Sequence, residues 1–244
     1  LTHLKNYQEN LLEALSNYLG RCKELKDPAA AFSESTMQGP MKLALPYTPI
    51  PDMPHVPYVC LRVPTGGGKT RIAGQSIKCV NDAFLPTEHS LIIWLVPSDP
   101  IREQTLNALR NEGELLHQDM RDLFGTVNVM DINEALCMQA STLNTANTII
   151  VATMQSFKRD TADGLRVYRQ NGSLMSHFEG ATSEQKGEHS LVDAIRLRHP
   201  YVIVDEAHNQ GTPLAVDTLK RLNPSCILEL TATPDRAFQP SNVL

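Results

Sequence analysis

Five short apolar runs recur along the chain after residue 57, and a parallel sheet explains them best. The runs are YVCLRV (58–63), SLIIWLV (90–96), TIIVA (148–152), YVIVDEA (201–207) and CILELTA (226–232). Each is apolar on both alternations and rich in β-branched residues, which is typical of strands buried on both faces. Helical patterns such as TRIAGQSIKCVNDAF and DPIREQTLNALRNEGELL lie between them. The alternation predicts an α/β fold with a mostly parallel, doubly wound sheet flanked by helices, and ligands at the carboxyl ends of the strands.

The remaining segments predict how the chain is divided. Apolar residues between Tyr7 and Leu25 recur at spacings of three and four, which indicates an amphipathic helix. The stretch LPYTPIPDMPHVP carries five prolines in thirteen residues and cannot be a helix interior. We therefore expect an N-terminal helical segment over 1–45, a linker over 46–57 and the main domain over 58–244. Residues 158–196 interrupt the alternation and predict a surface excursion with a hairpin, followed by a short helix from about Ser190.

Charge and cysteine content exclude several classes of protein. The formal net charge is -5, so any contact with nucleic acid has to be local, made through the protein backbone, or shared with parts outside these residues. The five cysteines form no C-x-x-C pair, which argues against a disulfide framework and a zinc site and predicts buried thiols. No apolar run approaches the roughly 18 residues that cross a bilayer, and the N-terminus is polar. We expect a cytoplasmic protein without membrane contact.

The stretch LRVPTGGGKTRIA places three glycines between a predicted strand and a predicted helix. Glycines allow successive backbone N–H groups to turn towards an anion, and the helix N-terminus adds partial positive charge. Lys69 would reach the β and γ phosphates of a nucleotide, and the Thr70 hydroxyl would bind Mg²⁺. The general pattern has glycine where this chain has Val63. The alternative, a glycine-rich turn that only caps a helix, stays open from this motif alone.

A second motif, YVIVDEAHNQ, ends an apolar strand in two carboxylates. Asp205 suits the metal side of a hydrated Mg²⁺, and Glu206 suits a base that orients water. An acidic helix N-terminus after a strand would give the same pattern. Its occurrence together with the glycine loop favours a nucleotide site.

PTGGGKT, DEAH and LTATP, in this order, resemble motifs I, II and III of superfamily 2 helicases and translocases. These proteins are P-loop NTPases with RecA-like domains, in which ATP turnover drives movement on nucleic acid. The resemblance implies ATP and Mg²⁺ as ligands. It assigns phosphate binding to the loop, metal binding to Thr70 and Asp205, hydrolysis to Lys69, Asp205 and Glu206, and coupling to three further residues. The loop residues are Gly66, Gly67, Gly68, Lys69 and Thr70, and the coupling residues are His208, Thr231 and Thr233.

Three other stretches extend the resemblance. LKNYQENLLEAL is similar to the upstream segment that reads adenine, with Gln8 as the reader, although a polar first-turn residue of a helix would look the same. WLVPSDPIREQT and IIVATMQSF occupy the places of motifs Ia and Ib, which touch the nucleic-acid backbone. The candidates there are Pro97, Ser98, Arg102, Thr153 and Gln155, for which helix capping is the ordinary alternative.

Within the superfamily, RVPTGGGKT, VPSDPIREQT and RLNPSCILELTATP most resemble the restriction subunit of type III restriction enzymes. That resemblance implies double-stranded DNA as the track, a second RecA-like domain in the same longer protein, and a methyltransferase or specificity subunit as partner. Because the second domain normally supplies arginine fingers, slow or absent turnover is expected of residues 1–244 alone. An RNA helicase domain and a nucleotide-binding scaffold without appreciable turnover remain as alternatives.

Overall fold

The computed structural model describes residues 3–39, 42–158, 162–182, 185, 187–205, 213–234 and 242–244. Six strands form one sheet in the order β1-β6-β5-β2-β4-β3. They are β1 (Tyr58–Arg62), β2 (Leu91–Val96), β3 (Val127–Met130), β4 (Asn147–Thr153), β5 (Tyr201–Asp205) and β6 (Cys226–Thr231). The ladders that join β1 to β6, β2 to β4 and β3 to β4 are parallel. The predicted α/β fold is confirmed.

Helices connect the strands. They are α1 (Asn6–Leu25), α2 (Pro28–Gln38), α3 (Lys69–Ala83), α4 (Asp99–Arg110), α5 (Leu115–Phe124), α6 (Ile132–Ala135), α7 (Ala140–Thr145), α8 (Ala162–Tyr168), α9 (Leu191–Arg196) and α10 (Pro213–Leu222), with 3₁₀ turns at Met154–Phe157 and Gly172–Phe178. The single helix predicted after β2 is two helices, since α4 ends before Asn111 and the chain turns through Gly113 before α5 begins.

The excursion over 158–196 differs from its prediction in one respect. Its described residues form α8, a 3₁₀ turn and α9, so the predicted hairpin is wrong for this part of the chain. The predicted helix from about Ser190 is present as α9, and the Ser190 hydroxyl caps it by accepting a hydrogen bond from the Asp193 N–H at 3.2 Å. Polar, glycine-containing sequence therefore folds here into short helical turns rather than paired strands.

Residue contacts divide the chain into two compact units. The first comprises the described residues of 1–88, 203–212 and 225–244, and the second comprises those of 89–202 and 213–224. These units follow contacts in space and interleave along the chain. The linear division at residues 45 and 57 stays a prediction.

In the first unit, one asparagine fastens the proline-rich linker to β1. The buried Asn242 side chain accepts a hydrogen bond from Thr48 N–H at 2.8 Å and donates to the carbonyls of Thr48 and Tyr58, both at 2.9 Å. The chain around it runs beside β1, because Cys60 N–H donates to Asn242 O at 2.8 Å and Leu244 N–H donates to Cys60 O at 3.1 Å. All polar atoms of this amide are used, so the strand that leads to the glycine loop is held from its outer edge.

The cysteines only partly follow their prediction. Cys22, Cys60 and Cys226 are buried, whereas Cys79 is half-buried and Cys137 is exposed. Cys137 lies between the short helices α6 and α7, where the chain runs over the surface. In the described part of the chain no group of three or more His, Cys, Asp or Glu residues could hold a metal ion. None of the described helices is both long enough and apolar enough to cross a membrane.

Candidate nucleotide site

The glycine loop follows β1, and Val63 is the first residue after this strand. Val63 is fully buried, and its N–H donates to the carbonyl of Thr231 at 3.0 Å. A Cβ on Gly67 would stand 2.8 Å from the carbonyl oxygen of Pro64 and 2.9 Å from a methyl group of Val63. Val63 thus fills the space beneath the loop at the position where the general motif has glycine. A side chain at position 67 would clash with Pro64 and Val63, so glycine is required there.

Two further glycines set the backbone of the loop. Gly66 has φ +76° and Gly68 has φ +79°, both in the left-handed region that side chains disfavour. A Cβ on Gly66 would meet nothing within 4 Å, so the backbone conformation alone requires glycine there. The exposed residues Pro64, Thr65 and Gly66 form the outer part of the loop.

Helix α3 starts directly at the end of the loop, with Gly68 at its N-cap. No side chain caps this end of the helix by a hydrogen bond to its first N–H groups. Lys69 and Thr70 stand half-buried in the first turn. This end of α3 combines backbone N–H groups, the positive end of the helix, an ammonium group and a hydroxyl. Such a set of donors suits a nucleoside triphosphate.

A carboxylate lies at the end of a neighbouring strand of the first unit. Asp205 is the last residue of β5 and is 7% exposed. The strands β1, β6 and β5 follow one another in the sheet, and the carboxyl ends of parallel strands share one edge. Carboxylate and hydroxyl oxygens, such as those of Asp205 and Thr70, are ligands that Mg²⁺ prefers. Glu206 and His208, which sequence also singles out, lie outside the described residues.

The LTATP motif lies at the base of the loop. The buried Thr231 ends β6, and its carbonyl accepts the hydrogen bond from Val63. Its hydroxyl accepts from the N–H of Thr233 at 3.2 Å and donates to the Thr233 carbonyl at 3.4 Å. A shift of the glycine loop would therefore act on the end of β6 at Thr231, to which Thr233 is hydrogen-bonded.

The start of α1 reaches the loop across the sequence. The Gln8 side chain is buried, donates from Nε2 to the Gly67 carbonyl at 3.0 Å and accepts from the Lys5 N–H at 3.0 Å. The Tyr7 hydroxyl donates to the same Gly67 carbonyl. Sequence analysis singled out Gln8 but missed Tyr7, although the aromatic residue directly before the glutamine was visible.

The predicted nucleic-acid contacts all belong to the second unit. Thr153 ends β4 directly opposite Val96, the last residue of β2, so Pro97 and Ser98 follow at the same sheet edge. Ser98 occupies the N-cap of α4, but its hydroxyl makes no capping hydrogen bond. The Thr153 hydroxyl lies 3.2 Å from that of Ser156.

Two other candidates of this unit are differently placed. Gln155 is exposed in the 3₁₀ turn that follows β4. The Arg102 guanidinium is 20% exposed and forms ion pairs with Asp99 at 3.0 Å and Glu103 at 2.7 Å. A phosphate at Arg102 would have to replace partners from its own helix.

A largely buried carboxyl group precedes the threonines of β6. Burial raises the pKa of Glu229 to about 7, and a hydrogen bond with Tyr58 opposes the shift. The raised pKa means that the folded state binds the proton more tightly than the unfolded chain does. The contribution of Glu229 to the free energy of unfolding is therefore most favourable below the ordinary pKa of a carboxyl group and is lost as the pH rises towards 7.

Replacing Glu229 with glutamine should remove this pH dependence. At pH 8 we expect Glu229→Gln to be more stable than the original chain by up to about 3 kcal/mol, because the variant never carries the buried charge. At pH 4 the difference should be small. Urea unfolding at both pH values measures it, with Glu13→Gln at an exposed position of α1 as control. A Glu229→Gln variant with an unchanged pH profile would contradict the assignment.

Several solved structures show detectable likeness to this chain. The Sulfolobus solfataricus SWI2/SNF2 ATPase core in complex with dsDNA is 13% identical, with 96% of this chain and 32% of that chain covered, at a TM-score of 0.42. A nuclease-deletion mutant of the Type ISP restriction-modification enzyme LlaGI, in complex with a DNA substrate mimic, is 15% identical over 98% and 18%, at 0.45. The UvsW helicase from bacteriophage T4 is 13% identical over 72% and 47%, at 0.38. This chain spans less than half the length of each.

Sequence comparison is more decisive. No curated protein sequence matches the chain. The family model described as "Type III restriction enzyme, res subunit" matches residues 1–236, which include the glycine loop, the acidic strand end and the LTATP motif. This confirms the resemblance noted from the motifs. The chain belongs to the family of type III restriction enzyme res subunits.

Proposed function

We propose that this chain is the ATP-binding and ATP-hydrolysing motor domain of a superfamily 2 translocase that moves on double-stranded DNA. The observation that carries the proposal is the Gly66–Gly68 loop, which opens the uncapped helix α3 at the sheet edge where the buried Asp205 lies. A loop that only capped a helix would need neither a carboxylate nor a cation beside it. The combination suits a phosphate chain with a bound metal ion.

Each group of the site has a distinct task. The loop backbone and the Lys69 ammonium hold the phosphates, and Lys69 neutralises charge that builds up on the transferred phosphoryl group. Thr70 and Asp205 would hold Mg²⁺, and Glu206 would orient the attacking water. When bound, Mg²⁺ neutralises phosphate charge and fixes phosphate geometry.

Two of the proposed coupling residues, Thr231 and Thr233, lie at or just after the strand end that is hydrogen-bonded to the start of the glycine loop. Val63 and Thr231 are joined by a backbone hydrogen bond of 3.0 Å, and the Thr231 hydroxyl bonds both backbone groups of Thr233. Movement of the loop on hydrolysis therefore pulls on the end of β6. We assign coupling to Thr231 and Thr233 on this basis, and to His208 on the family pattern alone.

The second unit supplies the proposed contacts to the DNA backbone. They are Pro97, Ser98, Arg102, Thr153 and Gln155, which follow the neighbouring strands β2 and β4. Contacts of this kind position a protein on nucleic acid without reading its sequence. Double-stranded DNA is the proposed track because restriction enzymes act on it. Arg102 would exchange its ion pairs with Asp99 and Glu103 for a phosphate.

Partners complete the proposed motor. A second RecA-like domain of the same longer protein would close over the nucleotide and supply arginine groups to the γ-phosphate. A methyltransferase or specificity subunit would direct the enzyme to its DNA, in the cytoplasm. Slow or absent turnover is expected of residues 1–244 alone.

The ATPase rate of the full-length protein tests the proposal. It is measured with Mg²⁺ and no polynucleotide, then with double-stranded DNA, then with single-stranded RNA of equal length. We expect duplex DNA to raise the ATPase rate severalfold and RNA to leave it near the basal value. The reason is that a translocase hydrolyses ATP faster when it is bound to the nucleic acid on which it moves.

Two other results would redirect the assignment. Stimulation by RNA alone would make the protein an RNA helicase. Tight ATP binding with no turnover on any polynucleotide would make it a nucleotide-binding scaffold. Either result would contradict the translocase proposal.

A further inference from the structure

The 3₁₀ turn at Met154–Phe157, which follows β4, is held by a tyrosine of the excursion over 158–196. Phe157 ends the turn and is buried, and its carbonyl accepts a hydrogen bond from the Tyr168 hydroxyl at 2.9 Å. Gln155, a proposed contact to the nucleic-acid backbone, lies exposed in the same turn. A shift of this turn would take the Phe157 carbonyl away from its donor, which is unfavourable, so the hydrogen bond favours one position of the turn.

Tyr168 is itself fixed by its neighbours. Helix α8, which ends at Tyr168, packs against the 3₁₀ turn, and Val167 is fully buried. The guanidinium carbon of Arg221 lies 5.8 Å from the centroid of the Tyr168 ring, within the range of a cation–π contact. Arg221 also pairs with Asp217, one turn earlier in α10, at 2.8 Å. The Tyr168 ring is therefore held by both α8 and α10, which belong to the second unit.

The described helices of the excursion pack together and do not form a loose loop. Helix α9 packs against α8, against the 3₁₀ turn at Gly172–Phe178 and against α10. The side chains that fill this packing include the fully buried Leu174, Leu191 and Ile195. Sequence analysis predicted a surface excursion here but gave it no role. Its packing now suits it to support the turn that carries Gln155.

A contact to the nucleic-acid backbone requires that the turn be placed accurately. A hydrogen bond to a phosphate or sugar oxygen forms only near a donor–acceptor distance of about 3 Å, so a turn displaced by about one further ångström loses it. Loops move more than the helices and strands that they connect. A short turn that contacts nucleic acid therefore depends on residues that fix its position.

We propose that Tyr168 is a positioning residue for nucleic-acid binding: its hydroxyl holds the turn that carries Gln155 in the position from which this turn contacts the backbone of the nucleic acid. The excursion over 158–196 then has a role, because its helix α8 brings Tyr168 to the turn. The inference rests on the proposed function, which assigns Gln155 to the DNA track. It adds a residue that lies outside the motifs resembling those of helicases.

The test measures how duplex DNA activates the ATPase of the full-length protein. In Tyr168→Phe the ring and its contact with Arg221 stay, and only the hydroxyl is lost. We expect the DNA concentration for half-maximal activation to rise about three- to tenfold, because binding then has to restore the position of the turn, at a cost of up to one neutral hydrogen bond. The ATPase rate at saturating DNA should stay within about twofold of the original, since excess DNA restores that position.

A double variant shows whether Tyr168 acts through Gln155. Gln155→Ala should weaken activation by DNA on its own, since it removes the contact. If the Tyr168 hydroxyl acts by placing this side chain, adding Tyr168→Phe to Gln155→Ala should weaken DNA binding less than Tyr168→Phe does in the original protein. Equal losses in both backgrounds would overturn the inference.

Tyr47→Phe is the matched control. The Tyr47 hydroxyl also donates to a backbone carbonyl, that of Val56 at 3.3 Å, but Tyr47 belongs to the first unit, whereas the proposed nucleic-acid contacts belong to the second. This variant should leave the half-maximal DNA concentration unchanged, even if the lost hydrogen bond lowers its unfolding temperature. A rise as large as that in Tyr168→Phe would show a general effect of lost stability and would contradict a positioning role.

The outcomes separate this inference from the function on which it rests. An ATPase that duplex DNA does not activate in the original protein would contradict the proposed function before any variant is compared. Activation of the original protein, with an unchanged half-maximal DNA concentration in Tyr168→Phe, would overturn the role of Tyr168 alone. A lower rate at saturating DNA with an unchanged half-maximal concentration would also overturn it, because the hydroxyl would then act on turnover and not on binding.

Discussion

Replacing Lys69 with alanine is expected to lower the ATPase rate of the full-length protein by at least ~100-fold, the usual effect of removing one group that stabilises transition-state charge. Lys69 is the first residue of α3 and stands half-buried beside the loop backbone. Its loss removes a positive charge from the point where the transferred phosphoryl group becomes more negative. The fold should survive, because the helix start is set by the glycines and by the Ile72 N–H bond to the Gly68 carbonyl at 3.0 Å.

A second lysine of the same helix provides the control. Lys78 is exposed and pairs with Asp82 at 2.8 Å, so Lys78→Ala changes the charge of α3 by the same amount on its solvent face. Its ATPase rate should match the original, since surface ion pairs contribute little. Thermal unfolding of both variants checks that the fold is kept. Turnover near the original rate in Lys69→Ala would show that ATP is hydrolysed elsewhere.

Most of the sheet could be predicted from the sequence because its strands are buried on both faces. Burial on both faces demands continuous apolar runs, and these stand out in β1, β2, β4, β5 and β6. Strand β3 was missed because all four of its residues are only half-buried, so VNVM carries no such run. The split between α4 and α5 was missed for a related reason, since apolar periodicity continues across the turn at Gly113.

The candidate site likewise has some features that local sequence patterns predict and others that depend on contacts between residues far apart in the sequence. Glycines, lysine and carboxylates at strand ends are local patterns, and sequence was sufficient to propose Gly66, Lys69 and Asp205. The contact of Tyr7 with Gly67 joins residues 60 positions apart and depends on how α1 packs along α3. The fit of Val63 beneath Gly67 likewise depends on ångström-scale distances. No motif encodes such distances.

The electrostatic environment of a residue was harder to predict from the sequence than its position in the fold. Sequence shows Arg102 as a cation after a strand, but its pairing with both Asp99 and Glu103 depends on rotamers chosen in the folded helix. Glu229 looks like an ordinary strand residue, yet burial raises its pKa to about 7 although a hydrogen bond with Tyr58 opposes the shift. Charge compensation and desolvation are properties of the packed chain, so they emerge only with the structure.

Replacing Asp205 with asparagine is the second substitution expected to have a large effect. The variant keeps the size of the buried side chain and removes only its negative charge, so a metal ion at the strand end loses an anionic ligand. We expect the ATPase rate of the full-length protein to fall by at least ~100-fold and the Mg²⁺ concentration for half-maximal rate to rise. Without Mg²⁺, ATP binding should be equal or tighter, because a carboxylate no longer repels the phosphates.

This opposite response with and without Mg²⁺ distinguishes a metal ligand from a residue that only supports the strand. A structural role would weaken ATP binding under both conditions, and it would lower the unfolding temperature. Asp82→Asn, at an exposed position of α3, is the control and should leave the ATPase rate, its Mg²⁺ dependence, ATP binding and the unfolding temperature unchanged. If Asp205→Asn kept the original Mg²⁺ dependence, the metal would have to be bound by other residues, and the pairing of Thr70 with Asp205 would be wrong.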